Sequence, residues 1–162
     1  MKKILQDMFL SELTEKILSL GEKKFRAAQI YAGLLAGKTI EDLPAVPKAL
    51  KERLLEEYEN AAVCVEEVYY SSDGTEKYLF RLSDGNLIEG VLMKYKYGYT
   101  QCVSTQAGCR MGCKFCASTL NGLIRNLTAG EILSQILLVN SLHKNDPDLA
   151  GEGKEKRAVT NV

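Results

Sequence analysis

The chain has 162 residues, of which 46% are hydrophobic and 26% charged, and this is ordinary usage for a globular protein. Its 21 basic residues balance 21 acidic ones, so overall charge does not indicate a nucleic-acid partner. The N-terminus resembles no signal peptide, and no long apolar run follows. These features argue against a secreted disulfide scaffold and a membrane protein, and we expect a cytoplasmic chain.

Three helices are predicted in the first 60 residues, at 11–20, 24–36 and 47–58. Ser11 can cap the first helix, and a glycine follows each of the first two. Pro47 suits the first turn of the third. Apolar residues recur at helical spacing in all three. Residues 1–60 are therefore predicted to form a small three-helix domain.

A β meander is predicted next, over residues 61–98. Runs rich in β-branched and aromatic residues span 63–70, 77–82 and 87–93. Two Asp-Gly pairs separate these runs and are strong turn signals. Cys64 falls inside the first run and is most simply a small buried side chain.

One carboxylate stands out in the third run. Strand alternation places Glu89 on the same face as Leu87, Val91 and Met93, so it occupies an otherwise apolar stripe. A carboxylate in such a place suits taking or holding a proton. Two alternatives stay open, because Glu89 can also pair with a neighbouring Lys or Arg, or the whole face can be exposed.

Residues 99–162 are predicted to contain a strand, a long loop and a helix. The strand spans 101–104, and Thr128 opens a capping box for a helix that ends near Leu142. This order is typical of the first βα unit of a (β/α) barrel, with chemistry at the carboxyl end of the strand. The polar stretch 143–157 is interpreted as a surface connection to a second strand.

The most informative feature is a run of three cysteines, Cys109, Cys113 and Cys116, at C-x3-C-x2-C spacing. A [4Fe-4S] cube has four irons, so three thiolates leave one iron open to a small molecule. Structural zinc is an alternative, but it normally needs four ligands, and the fourth would have to be Cys102 or His143. Disulfides in so short a loop would be strained, and five cysteines leave one over.

Several segments together resemble one known family. They are, in order, LGEKKFRA at 20–27, SSDGT at 71–75, IEGV at 88–91, CVSTQAGC at 102–109 and RNLT at 125–128. Phe115 precedes the last cysteine, as in the signature of radical S-adenosylmethionine enzymes. The whole string resembles the RlmN family of bacterial dual-specificity RNA methyltransferases. In that family a segment like 157–162 opens the second barrel strand and precedes a Gly-Glu-Pro motif, so this chain looks like an N-terminal half.

The resemblance implies a fold, cofactors and partners. The fold is an α+β N-terminal part followed by the start of a radical S-adenosylmethionine partial (β/α) barrel, truncated at strand two. The cofactors are a [4Fe-4S] cluster on the three cysteines and S-adenosyl-L-methionine, whose contacts lie mainly beyond Val162. The partners are 23S rRNA, tRNA and an electron donor such as flavodoxin or ferredoxin, for a monomeric enzyme.

The resemblance also implies a reaction and residue roles. A methyl group is added to C2 of an adenosine in 23S rRNA and of the adenosine beside the anticodon in certain tRNAs. Glu89 matches the proposed proton acceptor. Cys102 matches a cysteine that resolves a covalent adduct through a transient disulfide, although by itself it is most simply a buried strand residue. The fragment alone is expected to be inactive.

RNA contacts are predicted from basic residues. No acidic residue lies between Gly90 and Gly130, where basic residues interleave with Tyr95, Tyr97, Tyr99 and Phe115. Such a stretch can bind phosphates and stack on bases, although a solvated hairpin edge explains it equally well. The helical domain is predicted to supply accessory contacts. The candidates are Lys23, Lys24, Arg26, Arg110, Lys114 and Arg125.

Three other functions stay open. A related resistance family methylates C8 of the same ribosomal adenosine, and this part of the chain does not distinguish the two reactions. A different radical S-adenosylmethionine activity is also compatible with the cysteine spacing. The alternative from another class is a non-catalytic, metal-stabilised RNA-binding module.

Overall fold

The computed structural model describes residues 2–96, 98–144 and 158–162. In these residues the chain forms four α-helices, a mixed five-stranded sheet and a separate two-stranded hairpin, so the predicted α+β class is confirmed. The helices are α1 (Leu10–Ser19), α2 (Phe25–Leu35), α3 (Lys48–Glu57) and α4 (Ala129–Leu142). The strands are β1 (Val63–Tyr70), β2 (Glu76–Leu82), β3 (Leu87–Tyr95), β4 (Gly98–Cys102), β5 (Gln106–Gly108), β6 (Leu123–Asn126) and β7 (Val159–Asn161).

The first three helices share one apolar core. Its members include Leu13, Ile17, Ala27, Ile30, Leu34, Leu50 and Leu54. The start of α1 differs from the prediction, because Phe9 rather than Ser11 holds the N-cap position. The carboxylate of Glu12 accepts the Phe9 N–H at 2.7 Å and closes the first turn, so the Ser11 hydroxyl is not needed as a cap.

Strands β1 to β4 form an antiparallel meander in chain order, and β7 pairs in parallel with β4 at the sheet edge. The fourth strand was predicted at 101–104 but spans Gly98–Cys102. The reason is a tight hairpin, in which Tyr95 of β3 pairs with Gly98 of β4. The predicted meander and the predicted barrel strand therefore belong to one continuous sheet.

One face of this sheet packs against α4. The shared core includes Tyr78, Phe80, Ile88, Leu92, Tyr99, Val139 and Val159. Alternate residues of β3 lie on the opposite face, where they are exposed or half-buried. No helix in the described part of the chain is long and apolar enough to cross a lipid bilayer.

The N-terminus of α4 is fixed by two carboxylates. Thr128 and Glu131 form the predicted capping box, with the Thr128 N–H donating to Glu131 at 2.9 Å and the Glu131 N–H donating to Thr128 Oγ1 at 3.2 Å. Asp7 comes from a 3₁₀ turn near the start of the chain and accepts the Gly130 N–H at 2.7 Å. The N-terminal segment is thereby tied to the helix that covers the sheet.

The C-terminus of α4 is fixed to β2. His143 caps the helix, and its Nε2 lies 2.8 Å from the Tyr78 hydroxyl and 3.0 Å from Glu76 Oε2. Burial, together with the hydrogen bond to Glu76, raises the pKa of Tyr78 well above its usual range. The predicted connection 143–157 lies outside the described residues apart from its first two.

Gly130 is predicted to tolerate no side chain. A Cβ at this position would lie 2.7 Å from Asp7 Oδ1 and 2.9 Å from the Asp7 backbone nitrogen. Gly130→Ala should therefore lower the free energy of unfolding by about 1–3 kcal/mol, although alanine favours helices. Urea denaturation measures this, with Ser141→Ala on the exposed side of the same helix as the control. A Gly130→Ala variant as stable as that control would contradict this account.

Candidate functional site

The three cysteines Cys109, Cys113 and Cys116 lie in a single hairpin loop. Strand β5 leads into this loop and β6 leaves it, and the two strands pair antiparallel. The cysteines were predicted to follow a strand, but the hairpin that encloses them was not predicted. All three thiols therefore project from one short, closed segment.

Backbone hydrogen bonds close the base of this loop. The Cys109 N–H donates to the Gly122 carbonyl at 3.0 Å. Gly108 has a φ of +74°, and a Cβ there would lie 2.0 Å from the same carbonyl oxygen, so only glycine fits. Further along, the Thr119 hydroxyl donates to the carbonyl of Cys116 at 2.9 Å and to that of Cys113 at 3.2 Å.

All five cysteines are free thiols in this structure, and the three in the loop are half-buried. No three His, Cys, Asp or Glu side chains converge on a metal position within the described ranges. The donor set nevertheless fits an iron–sulfur cluster by its chemistry, since three soft thiols share one loop without a competing carboxylate. The loop supplies the ligands, and the base of the hairpin holds its ends.

The cysteine loop faces β3 across an open cleft of about 510 Å³. Cys109 and Cys116 line it on one side, and Glu89 lines it on the other. The remaining lining residues are Leu87, Ile88, Ser104, Thr105, Gln106, Gly108, Ala117, Ser118, Asn121 and Ile124. The structure therefore brings the predicted proton acceptor and two predicted cluster ligands to a single cleft.

Glu89 does not lie on a buried apolar face. Its side chain is 54% exposed, and the buried residues of β3 are Ile88, Gly90 and Leu92 on the opposite face. The stripe that contains Glu89 is therefore the open face, because α4 covers the other side of the sheet. Lys77 of β2 donates to Glu89 Oε1 at 2.7 Å, so both alternatives that had been left open, a Lys partner and an exposed face, are observed.

Cys102 and Cys64 are both exposed, so the simple expectation of buried cysteines is wrong for each. Cys102 ends β4 and pairs in register with Val91. Cross-strand partners share a face, and so do alternate residues of one strand. Cys102 therefore lies on the same open face as Glu89, with its thiol accessible.

Two polar residues of α4 hold the segment that carries the cysteines, and the sequence analysis missed one of them. Gln135 is fully buried; its Oε1 accepts the Ser104 N–H at 3.0 Å, and its Nε2 donates to the Ser104 carbonyl at 2.9 Å. Glu131 lies one turn earlier and binds the far end of the segment at Thr128. The sequence feature that could have indicated this role is a glutamine among the apolar residues of α4, because a buried polar side chain needs hydrogen-bond partners.

The predicted RNA contacts differ in their surroundings. Lys23 and Lys24 are exposed at the start of α2, and Arg110 and Lys114 are exposed on the cysteine loop. Arg26 is half-buried and donates to the Ala45 carbonyl and, at 2.9 Å, to Gln29. The first four side chains are therefore accessible to a phosphate, whereas Arg26 is used within the helical part.

Arg125 is also used within the protein. Its two terminal nitrogens donate to the two carboxylate oxygens of Glu131, both at 2.8 Å, and its Nε donates to Asp84 at 2.6 Å. The hydrogen bonds to Glu131 and then to Asp84 raise the pKa of Arg125 further above its usual range. A further N–H donates to the Asn126 carbonyl at 3.1 Å, so four of the five guanidinium N–H groups are used within the protein, and the RNA contact of Arg125 stays a prediction.

The predicted aromatic stretch is only partly available for stacking. Phe115 is 95% exposed on the cysteine loop, and Tyr95 is exposed at the end of β3. Tyr99 is buried in the sheet core, and Tyr97 lies outside the described residues. Phe115 is thus the best placed of these rings to meet a base.

Comparisons with known proteins agree with the resemblance. No protein-family model matches this chain. A probable dual-specificity RNA methyltransferase RlmN from Clostridium botulinum (strain Eklund 17B / Type B) is 54% identical over 143 residues, which are 87% of this chain and 41% of that protein. Its counterpart from Alkaliphilus metalliredigens is 51% identical over 83% of this chain and 39% of its own length. The chain is a homologue of RlmN.

The structural comparison agrees with the sequence comparison. The crystal structure of a radical SAM methyltransferase from Sphaerobacter thermophilus has a TM-score of 0.77 and 37% sequence identity, over 88% of this chain and 42% of that one. The α+β arrangement of the chain is therefore that of part of a radical SAM methyltransferase. The chain spans about two fifths of the length of the RlmN relatives named above.

Asp84 is predicted to stabilise the site in a pH-dependent way. Burial raises the pKa of Asp84, but hydrogen bonds from Arg125 and Asn86 outweigh this and bring it from 3.8 to about 2. A lowered pKa means that the contribution is present above about pH 4 and is lost as the pH falls toward 2. Asp84→Asn should lower the free energy of unfolding by about 1–3 kcal/mol at neutral pH.

The measurement is urea denaturation of both proteins between about pH 7 and about pH 3, and the difference between them should shrink as the pH falls. Glu66→Gln is the control, because it removes an exposed ion pair with Arg81 and should change stability by less than about 1 kcal/mol. A difference for Asp84→Asn that stays constant with pH would contradict the assignment.

Proposed function

We propose that this chain forms part of a radical S-adenosylmethionine RNA methyltransferase that methylates C2 of adenosine in 23S rRNA and in tRNA beside the anticodon. The observation that carries the proposal is the cleft in which Glu89 faces Cys109 and Cys116. Homology to RlmN supports the reaction class. Two of the three loop thiols and one carboxylate line this single cleft, and they are the two kinds of residue that this reaction requires.

Cys109, Cys113 and Cys116 would hold a [4Fe-4S] cluster as thiolates. When bound, the cluster supplies an electron and an open iron for S-adenosylmethionine. The hairpin contributes a closed base, so the three ligands arrive together on one rigid connection to the sheet. The half-buried thiols limit solvent at the ligands while Arg110 and Lys114 stay exposed beside them.

Glu89 would accept the proton that the adenine ring releases. Its carboxylate lies at the cleft wall and is half-exposed, so a base entering the cleft can reach it. The hydrogen bond from Lys77 orients one oxygen, Oε1. The other oxygen has no hydrogen bond among those described and is suited to take the proton.

Cys102 would release the product. Its exposed thiol shares the open sheet face with Glu89. In the family a methyl-carrying cysteine becomes joined to the RNA through a thioether. The Cys102 thiolate would attack that sulfur, so that a disulfide forms as the carbon–sulfur bond breaks; the electron pair of this bond would stay on the carbon, which takes up a proton and becomes the methyl group of the released RNA. An accessible thiol is the requirement for this step, and the structure meets it.

RNA would approach over the exposed basic residues. Arg110 and Lys114 are exposed on the cysteine loop, and the exposed ring of Phe115 on the same loop would stack on a base taken out of its own stack. Lys23 and Lys24 would add phosphate contacts from the helical part. An electron donor such as flavodoxin or ferredoxin would reduce the cluster of a monomeric enzyme.

Cluster uptake by this chain is the first test of the proposal. Anaerobic reconstitution of the 162-residue chain should give bound iron and sulfide and a broad visible absorption. Replacing Cys109, Cys113 or Cys116 by Ala should abolish uptake, because each variant removes one of three ligands. Cys64→Ala is the matched control and should retain it. One zinc per chain without a chromophore, or equal loss in all four variants, would contradict the proposal.

The role of Glu89 is tested in a chimera in which this chain replaces the matching segment of the Clostridium botulinum relative. Glu89→Gln should leave reductive cleavage of S-adenosylmethionine unchanged and should lower RNA methylation by about 10²-fold or more, since the proton acceptor is lost. Glu67→Gln, an exposed carboxylate on β1, is the control. Unchanged methylation in Glu89→Gln would show that another group takes the proton.

A further inference from the structure

The cleft has two walls that belong to different parts of the chain. The first residues of β3 form one wall, and they follow directly from the turn that contains Asp84. The cysteine hairpin forms the other. The hairpin itself is small, because β5 has three residues and β6 has four. Two short paired strands are only marginally stable by themselves, so contacts outside the hairpin must fix its position.

Arg125 makes such contacts. It is the residue after Ile124 on β6, and successive strand residues point to opposite faces. Ile124 lines the cleft, whereas Arg125 reaches away from it to Asp84 and Glu131. One side chain on the back of the hairpin therefore connects the cysteine wall, the turn that leads into the Glu89 wall, and the first turn of α4.

The arrangement is shielded from solvent. The side chains of Glu131, Asp84 and Arg125 are 1%, 16% and 25% exposed. Both contacts of Arg125 with Glu131 are 2.8 Å long, as in a bidentate guanidinium–carboxylate pair. A lysine has no planar fork and cannot hold both carboxylates in this way.

We infer that Arg125 is the positioning residue of the site, which sets the cysteine wall of the cleft relative to the Glu89 wall through its simultaneous contacts with Asp84 and Glu131. The assignment rests on the proposed function, since it concerns the spacing between the cluster ligands and the proton acceptor. Arg125 contacts neither the thiols of the cysteine wall nor the carboxylate of Glu89. It acts on their positions through the backbone of β6.

The first test needs no cofactor. In the metal-free chain, amide hydrogen exchange should be measured for the Cys109 N–H, bonded to Gly122, and the Leu127 N–H, bonded to Thr105, which close the hairpin. Arg125→Gln and Asp84→Asn should each raise exchange at these two amides by roughly tenfold or more beyond any rise at the amides of α1 to α3, which report the global loss of stability. A general loss of stability would instead raise exchange at all amides equally.

The second test uses the chimera described above. Asp84→Asn is nearly isosteric and keeps the contacts of Arg125 with Glu131, so the cluster content should stay near the wild-type value. Because the two walls are no longer tied, the number of S-adenosylmethionine molecules cleaved per RNA methylated should rise roughly fivefold or more. Arg125→Lys should show the same uncoupling and Lys16→Met, which removes a distant ion pair with Glu57, should not.

The outcomes separate the two claims. A wild-type protein that takes up no cluster would overturn the proposed function and this assignment with it. The assignment alone would be overturned if the wild-type protein takes up a cluster but Asp84→Asn changes neither the amide exchange nor the number of S-adenosylmethionine molecules cleaved per RNA methylated. If Arg125→Gln does not fold, the assignment is still tested by Asp84→Asn, through its amide exchange and its ratio of S-adenosylmethionine cleaved to RNA methylated.

Discussion

A loop that is to hold a metal cluster, as proposed for this one, must expose several thiols and still keep them in one place. In this chain the requirement is met by closing the loop at its base and anchoring both of its flanks to one helix. Ser104 before the cysteines is bound by Gln135, and Thr128 after them is bound by Glu131. Residues four apart lie on the same side of a helix, so α4 presents both anchors to the sheet.

Anchoring by buried polar groups has an energetic consequence. Glu131 is 1% exposed and Gln135 is fully buried, and each would destabilise the fold if its partners were removed. Their hydrogen bonds are directional, unlike apolar contacts, so they specify where the flanking segments lie as well as holding them. The face of α4 toward the sheet therefore combines apolar packing with two positions that determine the path of the cysteine segment.

Features that depend on neighbouring residues were predicted from the sequence, whereas contacts between residues far apart in the chain were not. The capping box at Thr128, the Asp-Gly turns and the run Val63–Tyr70 depend on neighbouring residues and were found where expected. Alternation correctly grouped Glu89 with its strand neighbours, but it cannot say which face a distant helix covers, so the exposure of Glu89 stayed an open alternative until the structure decided it. Arg125 was missed as an anchor because Asp84 lies 41 residues away in the sequence.

The exposure of Glu89 also bears on how RNA, the substrate proposed above, would enter the cleft. Glu89 is the only acidic residue among the described residues that line it, and a bare carboxylate would repel RNA phosphates. Lys77 neutralises that charge at 2.7 Å from the sheet side, while Arg110 and Lys114 add positive charge from the loop side. Because the ion pair is about half-exposed, it is weak enough for the carboxylate to exchange one partner for another as a base arrives. A carboxylate on an open face, paired with a half-exposed lysine, is thus better suited to meeting an incoming base than a buried carboxylate would be.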